Sequence, residues 1–370
     1  MEKNPTTSRA ICPRPRPPIA TPRTLVHPET EETLWYNDLM PRLARNVAWA
    51  PASYGLAIAL SGVALVRAWR PERSTVDVAV TAATPWLLAP SWALLACALT
   101  ARRRRLVLLA SLLAVYHATC IRPQSRPAGD RGELADGPVV GVAFANLLYC
   151  NRDVRGILGE LAAGEHDIVG LAEVTEDHLI EIDALLPTAT YPWRWCVPGG
   201  PQGLALMSRV PLDEVTKWMS QGHPQLEVTV RAPGSLPFRL LVIHTWGPVG
   251  RRKIGWWRAQ LAEIAERAQG ASSSGDNLPV VMVGDFNATR QHRTFDRLVG
   301  TGWSDAGALC FGGWRGTWPA NRWWRPPLFR IDHILAGPGI SVRASRAGRA
   351  RGSDHRPVTA VLTLPAAGRD

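Results

Sequence analysis

The chain has 370 residues, of which 46% are hydrophobic and 20% charged. That apolar content excludes a wholly disordered polymer, and the length suits about two domains. Its six cysteines hold no Cys-x-x-Cys pair, which excludes a disulfide-dense scaffold and a Cys-rich structural zinc site. No fixed-period repeat is visible, which excludes a solenoid or propeller.

The formal charge of +11 is uneven. Residues 1–121 carry 14 basic and 7 acidic side chains, whereas residues 122–370 carry 28 and 24. The basic surplus sits mostly in the N-terminal third. It suits a nucleic-acid-binding face or the cytoplasmic flanks of membrane helices.

Residues 1–46 are polar, with the stretch Pro13-Arg14-Pro15-Arg16-Pro17-Pro18, and predict a disordered cytoplasmic arm. Three uncharged runs follow at 47–66, 79–100 and 106–121. A helix rises about 1.5 Å per residue, so roughly twenty residues cross a hydrocarbon core, and three transmembrane helices are predicted. The second run contains Pro85 and Pro90, which membrane helices tolerate. The cluster Arg102–Arg105 between the second and third runs predicts a cytoplasmic loop. Residues 122–370 would then lie outside. The loop carrying Arg67, Arg70 and Arg73 falls on the outer side in this scheme, against the usual bias.

A Pro/Gly linker is predicted over 122–138 and an α/β domain over 139–365. Strands are predicted at 139–144, 168–171, 203–207, 226–230, 240–243, 280–283, 331–335 and 358–364. Ile254, Trp257, Leu261, Ile264 and Ala268 mark one stripe of a long helix.

Chemistry-bearing residues gather where these strands end. Asn146 ends the first strand, Glu173 follows the second and His244 ends the Leu-Val-Ile strand. Gly284-Asp285-Phe286-Asn287, Arg330-Ile331-Asp332-His333 and Ser353-Asp354-His355-Arg356-Pro357 follow in order. Strand ends of layered α/β folds converge on one rim, so these side chains are expected to share a pocket. Glu173, Asp285 and Asp354 are hard oxygen donors suited to Mg²⁺ or Mn²⁺. Asn146 and Asn287 offer amides for a phosphoryl oxygen or for the metal. His244 and His355 can donate to phosphate or carry a proton, and Asp332 can orient His355. The set suits metal-assisted phosphoester hydrolysis.

Those motifs, in that order, resemble the endonuclease/exonuclease/phosphatase superfamily of DNase I-like nucleases, sphingomyelinases and inositol-phosphate phosphatases. The resemblance spans about residues 138–364. It implies a four-layer sandwich of two β-sheets between helices. It implies Glu173 as principal metal ligand, with Asn146 nearby and Asp354 as a further ligand, and Asp285 orienting or deprotonating the attacking water. Asn287 would bind phosphate, Asp332 would pair with His355, and His244 would stabilise the phosphoryl group. Ala172 stands where many members carry Gln. The three helices plus this domain resemble the VanJ-type teicoplanin-resistance proteins of actinobacteria. That resemblance implies an outward-facing phosphoesterase acting on a lipid-linked envelope intermediate, with no obligate protein partner. A surface nuclease and a non-catalytic binding module are the alternatives.

Trp314, Trp318, Trp323, Trp324 and Phe329, with Arg315, Arg322, Arg325 and Arg330 among them, suit an amphiphilic phosphate or an ordinary loop with Trp in the core. His166, His178, His223 and His292 lie outside the motifs and are expected at the surface. His333 is expected to pack, and one pair among Cys150, Cys196 and Cys310 to be available for bridging.

Overall fold

The computed structural model describes residues 31–69, 72–121, 137–270, 277–300, 302–309, 315–321 and 326–367, with side chains described from Trp49 onward. Residues 54–370 form one unit and residues 1–53 another.

Four helices come first. They are α1 (Glu31–Trp69), α2 (Thr75–Leu88), α3 (Pro90–Thr100) and α4 (Arg104–Ile121). α1 begins well ahead of the apolar run at Val47, so residues 31–46 are helical rather than irregular as expected. Once a helix is nucleated, each further residue adds one backbone bond, so the helix extends ahead of the apolar run. Residues 1–30 of the expected arm lie outside the described residues. The second apolar run is broken at Ala89: Pro90 has no N–H to continue the ladder of α2 and instead opens α3 from its first turn, where a missing donor costs nothing.

Among the described residues, two helices are long and apolar enough to cross a membrane, at Pro51–Trp69 and Arg104–Ile121. A third crossing forms if α2 and α3, bent by 41°, count as one span. Large aliphatic side chains such as Ile58, Leu65, Leu108, Leu112 and Val115 are exposed on these helices, as lipid-facing residues would be. His117 of α4 fastens the bend. Its Nδ1 accepts from Trp92 Nε1 (2.8 Å), and its Nε2 lies 2.8 Å from the Pro85 carbonyl, so Nε2 carries the proton.

The domain that follows contains β1 (Val139–Asn146), α5 (Arg155–Ala163), β2 (Ile168–Ala172), α6 (Glu176–Leu185), β3 (Trp193–Val197), β4 (Leu204–Ser208), β5 (Leu212–Ser220), β6 (His223–Val230), β7 (Phe238–His244), α7 (Arg251–Gln269), β8 (Val280–Asp285), α8 (Arg293–Val299), β9 (Ser304–Asp305), β10 (Asp332–Ala336), β11 (Ser341–Ala347) and β12 (Val358–Thr363). They build two six-stranded mixed sheets, in the orders β11-β12-β1-β2-β4-β3 and β5-β6-β7-β8-β10-β9. Phe144, Ile168, Leu206, Val228, Leu240, Val242 and Val283 interdigitate between the sheets. Gly170 permits their close approach, since a Cβ there would sit 3.3 Å from Phe144 and 3.4 Å from Val242. Ile157, Leu158, Leu161 and Ile182 cover the outer face of the first sheet. Ile254, Trp257, Leu261, Ile264 and Phe295 cover the second. The expected α/β four-layer sandwich is the observed one. Burial in the core is worth about 1.5–3 kcal/mol per large apolar side chain.

β3, β5, β9 and β11 are not among the predicted strands. Each lies at the edge of its sheet, and β11 carries polar residues such as Arg343 and Arg346 where an inner strand is apolar.

The helices dock on the domain through its 291–294 segment. Glu72 is buried, accepting from Arg293 N (2.7 Å) and Thr294 Oγ1 (3.0 Å). Gln291 Nε2 donates to the Cys120 carbonyl (2.9 Å), Arg67 Nε donates to Gln291 Oε1 (3.1 Å), and His292 Nε2 lies 3.1 Å from the Val78 carbonyl. The end of α1, the start of α2 and the end of α4 therefore lie on the domain's side. α4 is about 27 Å long at 1.5 Å per residue, so its start at Arg104, and with it the end of α3, lies that far from the Cys120 end. Arg67 is spent on this docking, which accounts for one basic residue of the loop that sits against the charge bias; Arg70 lies outside the described residues.

Candidate metal-dependent active site

Strand direction brings the site together. β1 runs parallel to β2, and β7 parallel to β8, so Asn146, Glu173, His244 and Asp285 leave their sheets at the same edge. β10 and β12 run antiparallel to β8 and β1, so their first residues meet those ends. Asp332 sits directly across from Asp285 in the ladder, and Ser353–His355 lead into β12 beside Asn146.

Side-chain contacts join the two sheets. Asn146 Nδ2 donates to Glu173 Oε1 (2.9 Å) and to Asp285 Oδ2 (3.1 Å), while its Oδ1 accepts from Leu148 N (2.9 Å). All its polar atoms are committed, so it positions the two carboxylates and has no amide hydrogen left for a phosphoryl oxygen. Tyr149 N donates to Glu173 Oε2 (3.0 Å). Asn287 N donates to Asp285 Oδ1 (2.8 Å), and Asn287 Nδ2 to the Thr245 carbonyl (2.9 Å), leaving one amide hydrogen of Asn287. Glu173 (φ +58°) and Asn287 (φ +47°) both occupy the left-handed region. Such strain in non-glycine residues concentrates at functional positions.

His355 Nδ1 bonds Asp332 at 2.9 Å, and its Nε2 lies 3.8 Å from Asp285 Oδ2 and 3.9 Å from Asp354 Oδ1. Burial alone would lower the His355 pKa, but Asp332 and Asp285 outweigh it and push it up to about 10. The ring is an imidazolium at neutral pH. Burial, with the charge of Asp332, pushes Asp285 up to about 7. His244 Nε2 lies 3.9 Å from both Glu173 Oε1 and Asp285 Oδ2. Burial and the charged His355 hold its pKa down to about 4, so it is a neutral donor.

Glu173, Asp285, Asp332 and Asp354 thus share one rim with a single imidazolium. Buried like charges are unfavourable without a counter-charge. Asp354 Oδ1 is buried without a hydrogen-bond partner among the described residues, while its Oδ2 accepts from Trp318 Nε1 (2.9 Å). This donor set fits a hard divalent cation. Asp285, Asp332 and His355 offer ligand atoms within 4.8 Å of one another. His355 Nδ1 is turned to Asp332, so the oxygens of Glu173, Asp285 and Asp354 are the ones whose chemistry suits Mg²⁺ or Mn²⁺.

Several supporting residues were given no role by the motifs. Gln225 clamps the His244 backbone, accepting from its N (2.8 Å) and donating to its carbonyl (2.7 Å). Thr317 Oγ1 accepts from Ile331 N (3.1 Å) and Asp332 N (3.3 Å). Ser353 Oγ donates to the Asn146 carbonyl (2.8 Å) and accepts from His355 N (3.0 Å), a role its place two residues before the His would have signalled.

Other expectations change. His178, His223 and His292 are buried, not superficial, because each ring finds backbone partners inside the fold. His333 packs as expected, between Asp305 and the Ala288 carbonyl. Arg330 is buried against Asp305, so it is a structural ion pair and unavailable to a phosphate. Burial would raise Asp305, but Arg330 and His333 hold it below the usual carboxylate range. Cys150 and Cys196 are free thiols; Cys310, Trp314, Arg322, Trp323, Trp324 and Arg325 lie outside the described residues.

The sequence matches the endonuclease/exonuclease/phosphatase family over residues 143–355. No curated protein matches the sequence. Similar solved structures include TDP2 from C. elegans, 18% identical, with 62% of this chain and 77% of that chain covered and a TM-score of 0.50. D. rerio TDP2 complexed with a single-strand DNA product is 16% identical, covering 61% and 99%, with a TM-score of 0.50. A functionally unknown conserved protein from Enterococcus faecalis V583 is 16% identical, covering 60% and 99%, with a TM-score of 0.50. At these identities the structures speak for the fold, and the match over more than half the sequence speaks for descent: the chain belongs to the endonuclease/exonuclease/phosphatase family.

Proposed function

We propose that the protein is a membrane-anchored, divalent-metal-dependent phosphoesterase. It hydrolyses a phosphate ester or diphosphate at the outer face of the membrane, on a lipid-linked envelope intermediate. A role in glycopeptide resistance accords with the VanJ-type resemblance. The observation that carries the chemistry is the gathering of two buried carboxylates, Asp285 and Asp332, and two half-buried ones, Glu173 and Asp354, around one imidazolium, with Asp354 Oδ1 left unpartnered among the described residues.

Glu173, Asp354 and Asp285 would hold the cation, with Asn146 fixing the carboxylates. The cation, when bound, neutralises phosphoryl charge and eases formation of hydroxide from water. Asp285, raised toward neutrality, orients the attacking water and accepts its proton. The imidazolium of His355, held by Asp332, faces the developing charge. Neutral His244 and the free amide hydrogen of Asn287 donate to the phosphoryl oxygens.

The test is a substrate panel on the full-length protein in detergent, with Mg²⁺ and with chelator. Phosphate release from a polyprenyl diphosphate that stops on chelation is expected. Glu173→Gln should lower turnover at limiting Mg²⁺ by about 10²-fold and recover in part at high Mg²⁺, as loss of one metal ligand requires. Nicking of plasmid DNA in place of lipid hydrolysis would make the protein a nuclease. Metal-independent turnover would remove the proposed centre.

Orientation is proposed from Arg102–Arg105, which lie at the opposite end of α4 from its Cys120 contact with the domain and are placed in the cytoplasm. Protease added to intact cells should release the domain from 137 onward. Full protection, with cleavage only after permeabilisation, would reverse it.

A further inference from the structure

The loop from Thr245 to Gly250 runs from the site to the membrane helices. At one end the Thr245 carbonyl accepts from Asn287 Nδ2 (2.9 Å); at the other, Gly250 N donates to Thr75 Oγ1 (3.0 Å), the first residue of α2. Trp69 and Val76, which flank that junction, are exposed. The loop and the start of α7 therefore sit where the helices leave the domain.

That surface has an unusual composition. Trp246 and Trp256 lie with ring centroids 5.1 Å apart. Lys253 Nζ stands 5.1 Å over Trp246, and the Arg252 guanidinium 4.7 Å over Trp256. Arg251, Arg252 and Lys253 are exposed and form no carboxylate pair among the described residues, at a helix end whose dipole is already positive. This arrangement is unfavourable for the helix alone. Behind it, His223 stacks on Trp246 at 4.2 Å and lies 5.5 Å from the His244 ring. His223 is buried, and its Nε2 has no hydrogen-bond partner among the described residues. Tryptophan with unpaired basic residues at the depth where helices enter lipid is the composition of an interfacial site.

We propose that Trp246, Trp256, Arg252 and Lys253 form an interfacial site for the phosphorylated head group of a membrane lipid, leading to the catalytic rim along His223 and Asn287. This rests on the phosphoesterase reading above and names how its substrate arrives. The ligand comes from the bilayer that holds α1–α4, since the same loop is hydrogen-bonded to α2. The Trp rings take the first apolar segment and the basic pair takes the phosphate.

The full-length chain is reconstituted in phosphatidylcholine nanodiscs. It is assayed on an embedded long-chain polyprenyl diphosphate and on water-soluble bis(p-nitrophenyl) phosphate. In R252Q/K253Q the ratio of kcat/KM for the lipid to that for the soluble ester should fall about tenfold, through KM, as loss of two basic residues at a phosphate-bearing surface implies. R346Q/R349Q, on the far sheet edge, should keep the parent's ratio, because it removes equal charge elsewhere. Lipid hydrolysis by the parent with an unchanged ratio in R252Q/K253Q would overturn the interfacial site and leave the phosphoesterase reading standing. A parent that hydrolyses only the soluble ester would overturn the lipid substrate itself, and the site with it.

Discussion

Asp285→Asn is expected to lower kcat by about 10³-fold while the fold persists, the size typical of losing a positioned proton acceptor. Asp285 is held on both oxygens, by Asn287 N and by Asn146 Nδ2, so an isosteric amide keeps the shape of the site. It cannot take a proton, and it presents its NH₂ to one of two donors. Stability should move the other way. The folded pKa of about 7 stands above the ordinary 3.8, so the native protein binds more protons than the unfolded chain between about pH 4 and pH 7. Stability therefore falls as pH rises through that window, and the uncharged amide of the variant escapes this loss. Thermal melts in chelator should show the parent losing ground to D285N from pH 4 to pH 7 and running parallel above it. A parent and variant with the same pH profile would mean that Asp285 is ionised throughout that window and that burial does not raise its pKa.

His355→Gln is expected to lower kcat by about 10²–10³-fold and to destabilise the domain by about 3–5 kcal/mol, because it leaves Asp332 buried without its counter-charge. The pH dependence carries the sign. The folded His355 pKa of about 10 exceeds its ordinary 6.5, so its contribution is complete below pH 6.5 and is lost as pH rises toward 10. The stability gap between parent and H355Q should be constant in acid and close from pH 6.5 upward. Asp332→Asn in the H355Q background should restore much of the stability and none of the activity. If the double variant stays as unstable as H355Q, the Asp332–His355 pair is not what the single substitution breaks.

Residue type alone leaves the roles of Asp285 and His355 open. Both stand beside the reacting centre, and either type can move a proton. Their placement within the fold distinguishes them. Asp332 lies across the ladder from Asp285 and bonds His355, so the same carboxylate holds the imidazole charged and discourages ionisation of Asp285.

Much of this protein was legible in its residues. Uncharged runs of membrane length, period-two strands and the spacing of Glu173, Asp285, Asp332, Asp354 and His355 are local patterns, and local patterns survive in a linear string. Those patterns determined the helical region, the mixed α/β character of the domain and the identity of the acidic and imidazole groups, while the two-sheet arrangement was implied by the family resemblance. The exposed edge strands β5 and β11 escaped notice because an edge has no apolar period to display. The commitment of Asn146 to two carboxylates, the Gln225 clamp, the burial of Arg330 and the anchoring of Glu72 on the 291–294 segment were decided by tertiary structure alone. Each depends on which donor meets which acceptor across a long stretch of chain. Side-chain type states what a residue can bond, and only packing states which partner excludes the others.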